Sequence, residues 1–72
     1  MKKEVWETVI ADIEKDIASE KDKEEEVDTL ELCRIEGMLV AVSALLFYDN
    51  DISDCDKIGI TIRIQQNLDS LT

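Results

Sequence analysis

The sequence predicts an all-α protein: a small bundle of three helices, formed by a hairpin and a C-terminal helix and completed by homo-oligomerisation. Three observations indicate this fold. Apolar residues recur at helical spacing in the first segment, the middle segment is almost wholly apolar from Met38 to Tyr48, and the last segment has no second strand with which to form a sheet. The chain of 72 residues is expected to form one α-helical domain over residues 1–72.

Self-association is predicted because a chain this small has few ways to become stable. A core of this size rarely supplies more than about 3–5 kcal/mol. The usual supplements are disulfides, metals and oligomerisation, and the chain has only two cysteines and no histidine. These residues make neither a disulfide framework nor a zinc site. Association with another copy of the chain is therefore the expected supplement.

The first segment predicts an amphipathic helix from about residue 2 to residue 19. Its apolar residues follow the i, i+3, i+4 spacing of one helical face. They are Val5, Trp6, Val9, Ile10, Ile13 and Ile17. Acidic residues lie between them on the side that faces water, and Glu4 and Glu7 fall in the first turn, where the helix dipole favours negative charge.

An acidic connection is predicted at about residues 20–28, because this segment has no apolar period and cannot bury a face. Asp28 stands three residues before Glu31, which is the spacing of a capping box at the start of a new helix. A turn is therefore favoured. Since the chain contains no proline, one continuous helix through the segment remains the alternative.

The second helix is predicted at about residues 29–48 and has two apolar stripes. The broad stripe is the expected packing surface for the first helix. It consists of Ile35, Met38, Leu39, Val42, Leu45 and Leu46. The narrow seam repeats at spacings of four, three, four and three, and its small members let another backbone approach closely. It consists of Cys33, Gly37, Val40, Ala44 and Phe47. We predict that this seam is an oligomer interface.

The C-terminal segment is predicted to be a helix at about residues 54–70, with Ser53 or Asp54 as its cap. Alternating isoleucines at residues 57–64 are also typical of a strand, so both structures remain open there. Helix is favoured because no second strand is visible to pair with the segment. On such a helix Ile58 and Ile62 project away from the apolar face of Ile60, and they join the predicted oligomer interface.

No residue pattern indicates catalysis, a cofactor or a metal. Asp49, Asp51 and Ser53 resemble the opening of an EF-hand loop, but the sixth position is Asp54 and the twelfth is Ile60, where glycine and glutamate are required. Without histidine, a general base would have to be a carboxylate or a lysine, and the carboxylates occur in polar, solvated sequence. We therefore expect no enzyme activity, no cofactor and no metal site.

The charge indicates the kind of partner. The formal net charge is −10, and residues 1–31 hold twelve acidic against five basic residues. Direct binding to nucleic acid is disfavoured, because affinity for phosphates comes from lysine and arginine. A negative surface instead attracts basic proteins. We predict that the partner-binding acidic face consists of Glu20, Asp22, Glu24, Glu25, Glu26 and Asp28.

Two functional classes follow from these residues. In the first, the protein is a small acidic interaction module, an inhibitor or regulator that docks on a basic protein surface. In the second, it is a structural or assembly subunit whose helices serve oligomerisation. No signal peptide is recognisable, and the central apolar run is only 11 residues long, against the ~20 needed to cross a bilayer. A cytoplasmic location without membrane contact is expected.

Overall fold

The computed structural model describes residues 1–22 and 29–71, which form three packed α-helices. They are α1 (Lys3–Lys21), α2 (Thr29–Tyr48) and α3 (Asp54–Ser70). Each helix packs against the other two in a bundle about 42 Å long. No strand occurs in the part of the chain that the structure describes. The prediction of an all-α, three-helix architecture is confirmed, whereas homo-oligomerisation stays a prediction.

The helix bounds differ from expectation mainly at the end of α1, which continues to Lys21 instead of ending near residue 19. The first two residues of the predicted connection are therefore helical. The remainder of it, residues 23–28, lies outside the described residues, as does the choice between a turn and a continuous helix. Residues 57–64 are helical. The strand alternative is wrong, because a helix satisfies its backbone groups internally and needs no partner strand.

The core is formed by large apolar side chains from all three helices and from the α2–α3 connection. Its buried members are Trp6, Ile10, Ile13, Ile17, Ile35, Leu39, Leu46, Ile52, Ile60 and Ile64. Of the predicted packing stripe, Met38 and Val42 are partly buried against this core, whereas Leu45 lies outside it and is 64% exposed. A helix turns about 100° per residue, so Leu45 points well away from the neighbouring core residue Leu46.

Polar contacts fix the helix ends and the α1–α3 contact. The Ser53 hydroxyl caps α3 by accepting a hydrogen bond from the Asp56 backbone amide at 3.2 Å. Glu14 of α1 receives two hydrogen bonds from the Arg63 guanidinium, at 2.5 and 3.0 Å, and one from the Asn67 amide at 2.9 Å. The Arg63 guanidinium, followed by Asn67, lowers the pKa of Glu14. These contacts orient α3 against α1.

Asp49, directly after α2, ties that end of the bundle together. Its carboxylate accepts hydrogen bonds from the terminal ammonium of Met1 at 2.7 Å, the Trp6 indole at 2.8 Å and the Asp51 backbone amide at 2.9 Å. Hydrogen bonds to the ammonium, to the Asp51 amide and to the indole lower the pKa of Asp49 from 3.8 to about 2. Asp49 thereby links the start of α1 to the end of α2.

Candidate functional site: an exposed apolar surface

The most prominent surface feature lies between α2 and α3, where two shallow grooves meet at Phe47. One groove, of about 450 Å³, is lined by Val40, Ser43, Ala44, Phe47, Tyr48 and Leu68. The other, of about 490 Å³, is lined by Phe47, Asp54, Lys57, Ile58, Thr61 and Ile62. Because Phe47 lines both, the grooves form one continuous area. We call it the Phe47 surface, defined by Val40, Ala44, Phe47, Ile58 and Ile62.

The large side chains of the Phe47 surface are more than half exposed. Phe47 is 73% exposed, Ile58 61%, and Val40 and Ile62 54% each. The Phe47 ring also meets the ring of Tyr48 edge to face, with 5.2 Å between centroids, and Tyr48 is itself 77% exposed. Contiguous apolar patches of this kind on small proteins mark binding surfaces. Aromatic side chains contribute much of the contact energy in such surfaces.

The sequence of α2 explains why the surface forms. Val40, Ala44 and Phe47 are spaced by four and three residues, so they share one side of the helix, while Leu39 and Leu46 turn toward the core. The short α2–α3 connection then brings the start of α3 beside the end of α2. There the Lys57 ammonium donates a hydrogen bond to the Phe47 carbonyl at 3.2 Å. This contact helps to hold Ile58 beside Phe47, in the groove that both residues line.

All seven residues of the predicted oligomer interface are exposed, although exposure alone does not test that prediction. Five of them make up the Phe47 surface, which joins the seam of α2 to the isoleucines of α3. Cys33 and Gly37 continue the seam toward the start of α2, and Cys33 is a free thiol. A Cβ atom placed on Gly37 would meet no atom within 4 Å. Within one described chain, nothing uses the close approach that glycine permits.

Six residues that line the two grooves were not among those predicted for the interface: Ser43, Tyr48, Asp54, Lys57, Thr61 and Leu68. Tyr48 was detectable, because it lies four residues after Ala44 and extends the seam to the end of the helix. Thr61 and Leu68 were not detectable in the same way. Leu68 lies four residues after the buried Ile64 and packs against the core, and only the packing of α3 against α2 shows that it also borders the groove.

The predicted acidic face is corrected at one position. Glu20 is only 6% exposed, because α1 continues past residue 19 and Glu20 lies three residues after Ile17 on the core side of the helix. Asp22 is exposed. The other members, Glu24, Glu25, Glu26 and Asp28, lie outside the described residues.

A separate groove lies between α1 and α2 and has an apolar floor. It measures about 390 Å³ and is lined by Val9, Asp12, Ile13, Asp16, Met38, Ala41 and Val42. It shares no lining residue with the Phe47 surface. Its only charged lining residues are Asp12 and Asp16, which are four residues apart on α1 and both exposed. The groove is therefore apolar inside and acidic on one rim.

Another groove, between α1 and α3, is lined mostly by charged residues. It measures about 310 Å³ and is lined by Lys3, Glu7, Cys55, Asp56, Gly59, Ile60 and Arg63. The Lys3 ammonium lies 3.6 Å from the Glu7 carboxylate and 3.7 Å from the Asp56 carboxylate. Arg63 is paired with Glu14. Its charges are already paired within the chain, so this groove offers little unsatisfied surface to a partner.

Across the described ranges 1–22 and 29–71, no group of three or more metal-ligating side chains comes together. None of the helices there is long and apolar enough to span a membrane. Comparison of the chain with protein families, with curated proteins and with solved structures finds no match. The surfaces of the molecule are therefore the features from which a function can be inferred.

Proposed function

We propose that this chain is a small acidic protein–protein interaction module that associates with a second copy of itself through the Phe47 surface. The observation that supports this function most strongly is the continuous exposed apolar surface around Phe47, which occurs on a chain of formal net charge −10. A strongly charged chain has abundant polar residues with which to cover its exterior. Leaving an aromatic ring 73% exposed on α2 is explained if a partner covers it.

The charge distribution favours a second copy as the occupant. Two chains of net charge −10 repel each other, so they can meet only where carboxylates are sparse. Residues 37–48 contain no charged residue. On the α3 side, the two charged residues that line the surface, Asp54 and Lys57, have opposite sign. A two-fold axis would pair this surface with itself, and no net charge would be brought together.

Burial of apolar side chains at such an interface would favour association of two copies. Fully burying a large apolar side chain contributes about 1.5–3 kcal/mol. In a two-fold dimer each contributing side chain is buried twice, once from each copy. Phe47, Ile58, Ile62 and Val40 are all more than half exposed in the single chain. They retain most of this energy for association.

The test is a single substitution with a matched control on the same helix. Phe47→Asp places two carboxylates in the proposed interface, and we expect the dissociation constant to rise by more than about a hundredfold, the equivalent of ~3 kcal/mol. Leu45→Asp is the control. Leu45 is 64% exposed but lines neither groove of the Phe47 surface, and we expect its substitution to leave self-association unchanged. Sedimentation velocity measures both variants, and circular dichroism verifies that both remain helical.

Either of two outcomes would overturn the proposed interface. One is a wild-type chain that sediments as a monomer at concentrations up to about 100 μM, because an interface this weak would contribute less than about 6 kcal/mol. The other is an assembly that dissociates on Leu45→Asp and resists Phe47→Asp.

The protein's role once associated follows from the same surface. With the Phe47 surface covered, the acidic exterior faces outward, where it can dock on a basic protein surface as an inhibitor or regulator. A second candidate is an assembly subunit that has no other ligand. The two candidates predict assemblies of different size. A surface that pairs with itself yields a discrete dimer. An assembly subunit would join the α2–α3 groove of one copy to another face of the next copy, and this arrangement forms larger open assemblies.

A further inference from the structure

We infer that the groove between α1 and α2 binds a basic amphipathic helix of a partner protein. The inference rests on the proposed interaction function and deepens it, because it names a second surface and the chemistry of its occupant. The groove and the Phe47 surface have no lining residue in common. The two surfaces can therefore be occupied and tested separately.

The floor of the groove is suited to apolar side chains. Val9 and Ile13 of α1 face Met38, Ala41 and Val42 of α2 across it. Val9, Met38 and Val42 are only partly buried and pack against the edge of the core. Methionine is flexible and adapts to differently shaped partners.

The rim of the groove determines the charge of the occupant. Asp12 and Asp16 line the α1 side, and four residues separate them, so their carboxylates are about 6 Å apart along the helix axis. Within the described ranges, neither carboxylate lies in an ion pair. Lysine or arginine side chains flanking an apolar face would meet both carboxylates. An acidic occupant would be repelled by them.

Arg34 marks one end of the groove. Its guanidinium is paired with Glu31 and also donates a hydrogen bond to the Met38 sulfur at 3.4 Å. The pair with Glu31 raises the pKa of Arg34, and the more distant charges of Asp16 and Glu20 add to this effect. Arg34 therefore holds Met38 in place at the groove while its charge is satisfied mainly by Glu31. The acidic character of the rim is retained.

The shape of the site fits a helix better than an extended peptide. The lining residues of α1, Val9 to Asp16, span about two helical turns, and those of α2 lie alongside them. Helices that bind in such grooves present anchors at i, i+3 or i+4, and i+7. Those anchors cover two turns, which matches the length of the floor. The partner is therefore expected to offer an apolar stripe of two turns bordered by lysine or arginine.

The probe is a fluorescein-labelled synthetic peptide with leucines at positions i, i+3, i+4 and i+7 and lysines elsewhere, compared with a scrambled peptide of the same composition. Fluorescence anisotropy measures binding to the full chain at low and high salt. We expect the amphipathic peptide to bind at least about tenfold more tightly than the scrambled one, because only it aligns apolar anchors with the floor. Chemical-shift changes in the ¹⁵N-labelled chain should cluster at Val9, Ala41 and Val42.

Matched charge variants separate the rim from the general acidity of the chain. Asp12→Asn with Asp16→Asn is expected to weaken binding of the amphipathic peptide about fivefold or more, as two neutralised surface ion pairs would. Asp51→Asn with Asp69→Asn changes the net charge equally at exposed positions outside the groove. We expect that control pair to weaken binding by less than about twofold, since long-range charge is screened by salt.

The inference is overturned if the scrambled peptide binds equally well, if the control pair weakens binding as much as the rim pair, or if the shift changes map elsewhere. Failure here is distinguishable from failure of the proposed self-association. Phe47→Asp should leave peptide binding unchanged, and the rim pair should leave the sedimentation of the chain unchanged. A chain that binds the peptide but never self-associates would support the groove and overturn the Phe47 interface.

Discussion

The two sides of α2 carry the same kinds of residue and have opposite surroundings. On one side Ile35 and Leu39 are 0% exposed and Leu46 is 1% exposed, whereas on the other Val40 is 54% and Phe47 73% exposed. The difference arises from the number of helices, because α1 and α3 together cover only part of the circumference of α2. A helix that is apolar nearly all round needs cover all round. The uncovered side is therefore where another molecule is expected.

The largest effect that separates the two sides is expected from truncation in the core. Leu39→Ala should lower the free energy of unfolding by about 2–5 kcal/mol, because it leaves a cavity in the core, where Leu39 is fully buried. Its neighbour Val40 provides the matched control. Val40→Ala should change the stability of the isolated chain by less than about 0.5 kcal/mol. Urea unfolding in the Phe47→Asp background, in which association is removed, measures both; equal losses would contradict the distinction between the two sides.

A smaller effect is expected from Gly37→Ala, which should stabilise the folded chain but weaken self-association. Alanine is favoured over glycine inside a helix by about 0.5–1 kcal/mol, and a Cβ atom there meets open space in the single chain. Gly37→Ala should therefore stabilise the isolated chain. If a second copy lies close to this part of the seam, the same methyl group should weaken self-association. Unfolding in the Phe47→Asp background and sedimentation in the wild-type background measure the two effects.

The smallest effect is expected when the pH is lowered, because acid protonates Asp49, whose carboxylate links the end of α2 to the start of α1. The pKa of Asp49 is lowered from 3.8 to about 2, so its contribution to stability is complete above pH 3.8 and is lost as the pH falls through about 2. Asp49→Asn should therefore be less stable than the wild type at pH 5, and the difference should shrink between pH 4 and pH 2. Thermal unfolding followed by circular dichroism measures it; a constant difference would contradict this assignment.

The sequence predicted the elements better than their surroundings. The spacing of Ile10, Ile13 and Ile17 predicted the buried face of α1, and Ser53 was one of the two caps predicted for α3. Each of these features depends on residues close together in the chain. For α3, local spacing left helix and strand both open, and the lack of a partner strand favoured the helix that the structure shows.

The exposure of Leu45 and the burial of Glu20 could not be predicted in the same way. Leu45 belongs to a helix with apolar residues on every side, so its exposure depends on where α1 and α3 happen to lie. Glu20 comes after Ile17, the last apolar residue predicted for the buried face of α1. Its burial depends on the continuation of α1 to Lys21. Likewise, the seam of α2 and the isoleucines Ile58 and Ile62 of α3 were predicted separately. They form one surface at Phe47 only because α3 packs on α2.

The most direct test of the proposed Phe47 interface is an isotope-filtered NOE experiment on an equal mixture of ¹³C-labelled and unlabelled chains. Only contacts between two copies give signals in it. We predict cross-peaks between the Phe47 ring of one copy and the methyl groups of Val40, Ile58 or Ile62 of the other. Intermolecular cross-peaks that involve Leu45 and none of these four residues, or none at all at concentrations near 1 mM, where even weak complexes form, would contradict the proposed interface.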